Sequence, residues 1–168
     1  MTDVERLLAI EGVRKAKATY LYALDTKQLD LLESVFTRDA VVDFRAERDL
    51  EPGEGYERLP PVEQALAQGD IAVAKGSAAI AAMCATVKDW VTIHHGAAPI
   101  IEITGPDTAT AIWPMFDLMD SGAHVQRGYG HHHDTYRRED GAWRIQSIQV
   151  TRLRLEGDHP LHGPRAGR

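Results

Sequence analysis

The sequence predicts a single α+β domain, with a helical N-terminal half packed on a cone-shaped, strongly curved antiparallel sheet. Three observations carry this. Apolar residues recur at helical spacing from Val4 to Phe36, an alanine-rich helical run starts at Ser77, and from Thr92 onward β-rich runs alternate with turn sequences. Helices first and a meander last is the pattern in which three helices cover one face of a sheet. With 168 residues, the chain can bury about two-thirds of its unfolded surface, enough for one self-sufficient core.

Val4, Leu7, Leu8, Ile10, Val13, Ala16, Tyr20, Leu21 and Leu24 predict an amphipathic helix over Thr2 to Leu24, capped by Thr2 or Asp3. The polar step Asp25-Thr26-Lys27 interrupts it. Leu29, Leu32, Val35 and Phe36 then resume the period, so a second helix is expected from Gln28 to Phe36, closing a helical hairpin. The β-branched segment AVVDF reads as a first strand, Ala40 to Phe44. From Arg45 to Gly76 glycines and prolines punctuate a polar stretch that suggests a lid or rim, although PVEQALAQ has room for a helical turn or two. Ser77 to Trp90 predicts the third helix. Thr92 to Thr104, Thr108 to Asp120, Ala123 to Arg138 and Ala142 to Leu155 predict strands, joined by TGPD, DSG and REDG. The domain is expected to span 1–156. The tail, 157–168, is expected to fray unless a neighbouring subunit holds it.

Hydrophobic residues make up 43% of the chain and charged residues 26%, an ordinary globular balance. The net charge of -6 opposes non-specific attraction to nucleic acid or anionic lipid, so neither is an expected partner. No run of about 18 apolar residues occurs, and MTDVERLLAIEGVRK lacks the basic-then-apolar pattern of a leader, so a soluble, cytoplasmic protein is expected, with no membrane contact. The single cysteine, Cys84, reads as a small buried hydrophobe.

Among residues that could carry chemistry, Asp25 ends a long apolar helix face, where a carboxylate suits neither the helix dipole nor burial; it could equally cap the turn from Thr26 to Asp30. His94 and His95 lie in VTIHHGAAPI, so strand alternation turns only one of them inward. An inward histidine is either a satisfied core residue or, with its pKa near neutrality, a general base. Ala109, Ala111, Trp113, Met115 and Asp117 share one face of their strand, mixing small, aromatic and acidic side chains as a pocket wall does, though a half-buried strand with a solvated Asp would read the same. In GYGHHHDTYRR, His131 and His133 share one face and His132 and Asp134 the other; no third ligand at zinc-like spacing accompanies them, and no metal is expected.

The pieces YLYALDTKQLDLLESVFTRDAVVDF, TIHHGAAPIIEITGPDTATAIWPMFD and DTYRREDGAWRIQSIQVTRLR, in this order and spacing, resemble the SnoaL-like branch of the nuclear transport factor 2-like superfamily. Its dehydratases are instructive. The functional tyrosine, aspartate, histidine, aspartate and arginine of the bile acid 7α-dehydratases fall on Tyr20, Asp25, His94, Asp117 and Arg152. Against scytalone dehydratase the likeness is partial: Asp25 and His94 align, but its two water-holding tyrosines fall on Leu24 and Phe44 and its second histidine on Trp113. The resemblance implies catalytic roles for Asp25, His94 and Tyr20, with Phe44, Trp113, Asp117, His132 and Arg152 contacting a hydrophobic substrate.

The activity that the resemblance implies is that of a cofactor-independent dehydratase or isomerase acting next to a carbonyl on a polycyclic, steroid- or polyketide-like substrate. A ligand-binding protein built on the same cone without turnover, or an epoxide hydrolase or cyclase of the same superfamily, are the alternatives. The family resemblance also implies a homodimer or homotrimer, with subunits meeting on the apolar outer sheet face at Ile93, Ile112, Phe116 and Leu118.

Overall fold

The computed structural model describes residues 1–46, 50, 54 and 56–157. Helix α1 (Asp3–Asp25) opens with a capping box, in which the Thr2 hydroxyl takes the Glu5 N–H and the Glu5 carboxylate takes the Thr2 N–H. Its buried residues, Ala9, Val13, Ala16, Lys17, Tyr20, Ala23 and Leu24, form the stripe that its apolar period requires, with one lysine inside it. Lys27, at a φ of 60°, turns the chain into helix α2 (Leu29–Ser34). That helix ends earlier than its period suggested, because Phe36 already belongs to strand β1 (Phe36–Asp43), which begins before the expected Ala40.

Among the described residues of the polar stretch lie helix α3 (Val62–Ala67) and strand β2 (Val73–Lys75). Tyr56, in a short 3-10 turn (Tyr56–Arg58), ties this segment to the sheet: its hydroxyl donates to the Asp43 carbonyl at 2.6 Å and accepts from the Val150 N–H at 3.0 Å. Helix α4 (Ser77–Ala85) is shorter than the expected Ser77–Trp90. The helical layer of the described residues therefore has four α-helices, where three were expected.

The expected strand from Thr92 to Thr104 is two strands, β3 (Val91–Gly96) and β4 (Ile100–Gly105), which pair end to end along one edge of β5 (Thr108–Asp120). Their break contains Pro99 and lies beside Pro114 of β5; neither proline has an N–H for the ladder, so pairing lapses there. Strands β6 (Val125–Glu139) and β7 (Ala142–Gly157) extend the meander from β5 as antiparallel hairpins. The tail expected from 157 onward lies, past Gly157, outside the described residues.

The sheet is mixed rather than wholly antiparallel. Its order is β2-β1-β7-β6-β5-β3, with β4 also on β5, and β1 runs parallel to β7. Short turns dictate antiparallel pairing only between sequence neighbours, whereas β1 and β7 are far apart in the chain and meet through the packing of the helical layer. The core lies between helices and sheet, where Val13, Tyr20, Leu32, Phe36, Ile80, Ile145, Ile148 and Val150 are almost wholly buried. On the outer face Ile93 and Ile112 stay more than a third exposed. No helix among the described residues is long and apolar enough to cross a membrane.

Candidate active site

A cavity of about 680 Å³ opens between α1, α4 and the inner face of the sheet. It exists because α4 presents Ala79 and Ala82 toward it, side chains too small to fill the space that the curved sheet leaves. Leu24, Phe44, Leu66, Ile71, Met83 and Val87 make most of its wall apolar, while Tyr20, His94, Asp117, His132 and Arg152 gather polar groups on the wall.

Strand alternation turns His94 inward and leaves His95 outside, its ring 6.0 Å from that of Phe116. Asp25 does not cap the turn after it. Its carboxylate instead reaches across to β3, where Oδ1 accepts from His94 Nδ1 at 2.6 Å and from the Thr92 hydroxyl at 3.0 Å, and Oδ2 accepts the His94 N–H at 2.8 Å. Lys27 donates to that Thr92 hydroxyl at 2.6 Å. Burial alone would push the Asp25 carboxyl up, but the hydrogen bonds and charge of His94, with Thr92, hold it below the usual carboxylate range. Because Asp25 accepts at Nδ1, the neutral form of the His94 ring carries its proton there and leaves the Nε2 lone pair to a ligand.

Beside His94 in the register stands Asp117, 2% exposed, whose Oδ2 pairs with Nη1 of the similarly buried Arg152. This pair needs Gly128, which stands opposite Asp117 on β6: a Cβ there would come within 2.6 Å of both Arg152 Nη1 and Asp117 Oδ1.

Trp113 is not on the cavity wall, contrary to expectation. Its side chain points to the same face as Asp117, but the indole lies deeper, in the core, and its N–H donates to the Tyr136 hydroxyl at 3.0 Å. There it begins a buried polar chain: the Tyr136 hydroxyl donates to Asp134 Oδ2 at 2.7 Å, and Lys17 Nζ lies 2.8 Å from that same oxygen and 2.8 Å from His132 Nδ1. Burial holds Lys17 below its ordinary range and Asp134 above the usual carboxylate range. Burial, then the charges of Lys17 and Arg152, drive His132 well below its ordinary 6.5, so its ring is neutral.

Lys17, Thr92 and Lys27 were not singled out from the sequence. A signal for Lys17 was present, since it continues the buried stripe of Val13, Tyr20 and Leu24 at three- and four-residue steps. Cys84 also lines the cavity, and burial pushes its thiol up to about 12, leaving no thiolate at neutral pH. Among the described residues, no group of three or more His, Cys, Asp and Glu side chains is placed to hold a metal ion.

Fold and site define a cone of the nuclear transport factor 2-like fold, with His94 on its cavity wall hydrogen-bonded to Asp25. The chain belongs to the SnoaL-like domain family, whose sequence profile matches residues 5–149. Solved structures share the fold at low identity. A proposed scytalone dehydratase from Novosphingobium aromaticivorans superposes with a TM-score of 0.73 at 17% identity, over 99% of each chain. A hexachlorocyclohexane dehydrochlorinase (LinA, type 2) gives 0.72 at 17% identity, over 99% of this chain and 100% of that one. The type 3 LinA of Novosphingobium barchaimii gives 0.70 at 17% identity, over 96% and 97%. No curated protein matches the chain in sequence.

Proposed function

We propose that the protein is a cofactor-independent lyase of the dehydratase type, acting next to a carbonyl on a flat hydrophobic substrate such as a steroid or polyketide-like ring. The observation that supports this best is His94, which lines a largely apolar cavity of about 680 Å³ and is held from behind by Asp25 at 2.6 Å. Two of the activities named for structural neighbours, a dehydratase and a dehydrochlorinase, are eliminations, which a positioned base can drive without a cofactor, while a third neighbour is named as an aromatic ring hydroxylase.

In this mechanism His94 Nε2 takes the proton on the carbon beside the carbonyl, whose electrons pass to the carbonyl oxygen. Asp25 orients the ring and stabilises the imidazolium that forms. As the double bond closes, the C–O bond to the hydroxyl on the next carbon breaks; the proton taken and the hydroxide lost together make water. Tyr20 stands on the same wall as a donor to the carbonyl oxygen, and Asp117 with Arg152 forms the remaining polar wall.

The test is turnover of a panel of cyclic β-hydroxy ketones, including hydroxylated 3-oxo steroids, followed by the enone chromophore. The wild-type protein should dehydrate members of the panel, and His94→Ala should abolish this while still binding them. Binding without any wild-type turnover would identify a ligand-binding protein instead.

A further inference from the structure

We propose that Lys17 is a positioning residue that fixes His132 in its Nε2–H tautomer, making His132 a second, neutral donor beside Tyr20 to the substrate carbonyl oxygen as negative charge develops there. The chemistry rests on the elimination proposed above. The tautomer rests on the buried hydrogen-bond chain alone.

The direction of that chain is set by its ends. An indole N–H can only donate, so the Tyr136 hydroxyl accepts from Trp113 at 3.0 Å and must spend its own proton on Asp134 Oδ2 at 2.7 Å. That oxygen therefore acts as an acceptor, and Lys17 Nζ donates to it at 2.8 Å. With Asp134 ionised as the acceptor of both contacts, Lys17 is its ammonium partner, which has donors and no acceptor, so its second contact, 2.8 Å to His132 Nδ1, makes that nitrogen the acceptor. The ring proton then sits on Nε2. Lys17 is fully buried, with its ammonium 4.9 Å from the centre of the Tyr20 ring.

The cost of this arrangement points to a purpose. Burying a Lys–Asp pair often gives no more stability than apolar residues of the same volume would. What apolar residues could not supply is a proton-donating contact on one chosen nitrogen of a cavity-lining histidine. The charged and titratable groups acting on His132, namely Lys17, Arg152, His94 and His133, all disfavour its protonation, as burial does. A neutral imidazole N–H that cannot easily gain a second proton polarises a carbonyl without competing with the base for protons. The two cavity histidines are thereby set in opposite senses: Asp25 leaves His94 a lone pair, and Lys17 leaves His132 a proton. The His132 ring stands 6.4 Å from that of Tyr20 and 6.5 Å from that of Phe44, and all three line the cavity.

Nitrogen-15 spectra of histidine-labelled wild-type protein test the tautomer directly, with His132 assigned by its absence in His132→Gln. The Nε2–H form is expected near neutral pH; an Nδ1–H form or an imidazolium would overturn the proposal. Lys17→Met should convert His132 to a mixture of tautomers and lower kcat about tenfold with KM nearly unchanged. If that variant does not fold, the wild-type spectrum and the His132 variants decide. His132→Ala should weaken binding of 2-naphthol about tenfold, the worth of one neutral hydrogen bond, and leave naphthalene unaffected, whereas His132→Gln keeps a donor and should restore the difference. Equal affinities in all three proteins would overturn the donor role. On any substrate the wild type dehydrates, His132→Ala should cost about 10²–10³ in kcat, the loss typical of one oxyanion donor. Undiminished turnover there would refute this inference and leave the elimination standing. Absence of wild-type turnover, with the tautomer and naphthol results as expected, would refute the elimination and leave His132 as the cavity's donor.

Discussion

Replacing Asp25 with Asn keeps the side chain's shape and removes its charge. The carboxylate receives three hydrogen bonds, from His94 Nδ1, the His94 N–H and the Thr92 hydroxyl. The backbone N–H needs an acceptor, so the Asn carbonyl must stay on it and the amide nitrogen must face His94 Nδ1. The ring then flips its tautomer, putting a proton on Nε2 where the proposed base needs a lone pair. The charge effect adds to this. Unit charges 2.6 Å apart attract by about 6 kcal/mol at an effective dielectric of about 20. The side chains are 10% and 25% exposed, so solvent screening leaves roughly 3–4 kcal/mol of support for the imidazolium, or about 10²–10³ in rate. With the tautomer penalty, kcat should fall by about 10³–10⁴, the scale of losing the carboxylate in other histidine-based sites. Thermal unfolding should shift only by the stability that the Asp25 charge supplies, the same increment that acid removes. The assay is enone formation under saturating substrate, run beside His94→Ala and the double variant, which should be little worse than either single change because the two residues act as one unit. A wild-type rate that persists in Asp25→Asn would refute the dyad.

Gly128→Ala should destabilise the protein by about 1–3 kcal/mol in urea unfolding, because the new methyl displaces the buried Asp117–Arg152 pair it would touch; an unchanged midpoint would contradict that close approach. Acid should also destabilise the fold, in two stages. His132 is held well below its ordinary 6.5 in the folded chain, so the unfolded chain binds the proton first and stability falls as pH drops beneath about 6.5, by at most about 1.4 kcal/mol per pH unit. Asp25, held below its ordinary 3.8, has a stabilising effect that is complete above that value and is lost as pH falls through its folded value. His132→Gln should flatten the first stage in urea midpoints measured from pH 8 to about pH 5, and equal slopes in the two proteins would count against a neutral buried His132.

Periodicity alone located most of the fold. The 3.6-residue stripe of α1, the helical hairpin and the four long β-rich runs are local patterns, and so were readable. Alternation was enough to place Asp117 on an inward face and to separate His94 from His95, because side-chain parity is a property of a single strand. Lys17 and Trp113 show where local pattern stops. Both lie on buried faces that periodicity assigns, yet a face does not say how deep a side chain sits or what it meets. Trp113 shares one face of β5 with Asp117 but belongs to the core, since the strand runs from cavity to core along its length.

The sequence by itself determined the α+β class, the order of elements, and the residue types available for proton transfer, since each depends on spacing along the chain. Only the tertiary structure decided that β1 lies parallel to β7, that Asp25 reaches His94 across 69 positions, and that Lys17 reaches His132 across 115. Those contacts depend on how a helical layer settles on a curved sheet, and so do the protonation states they set. A hydrogen bond 2.6–2.8 Å long chooses which nitrogen of a histidine holds its proton, and no local pattern in the chain encodes that distance.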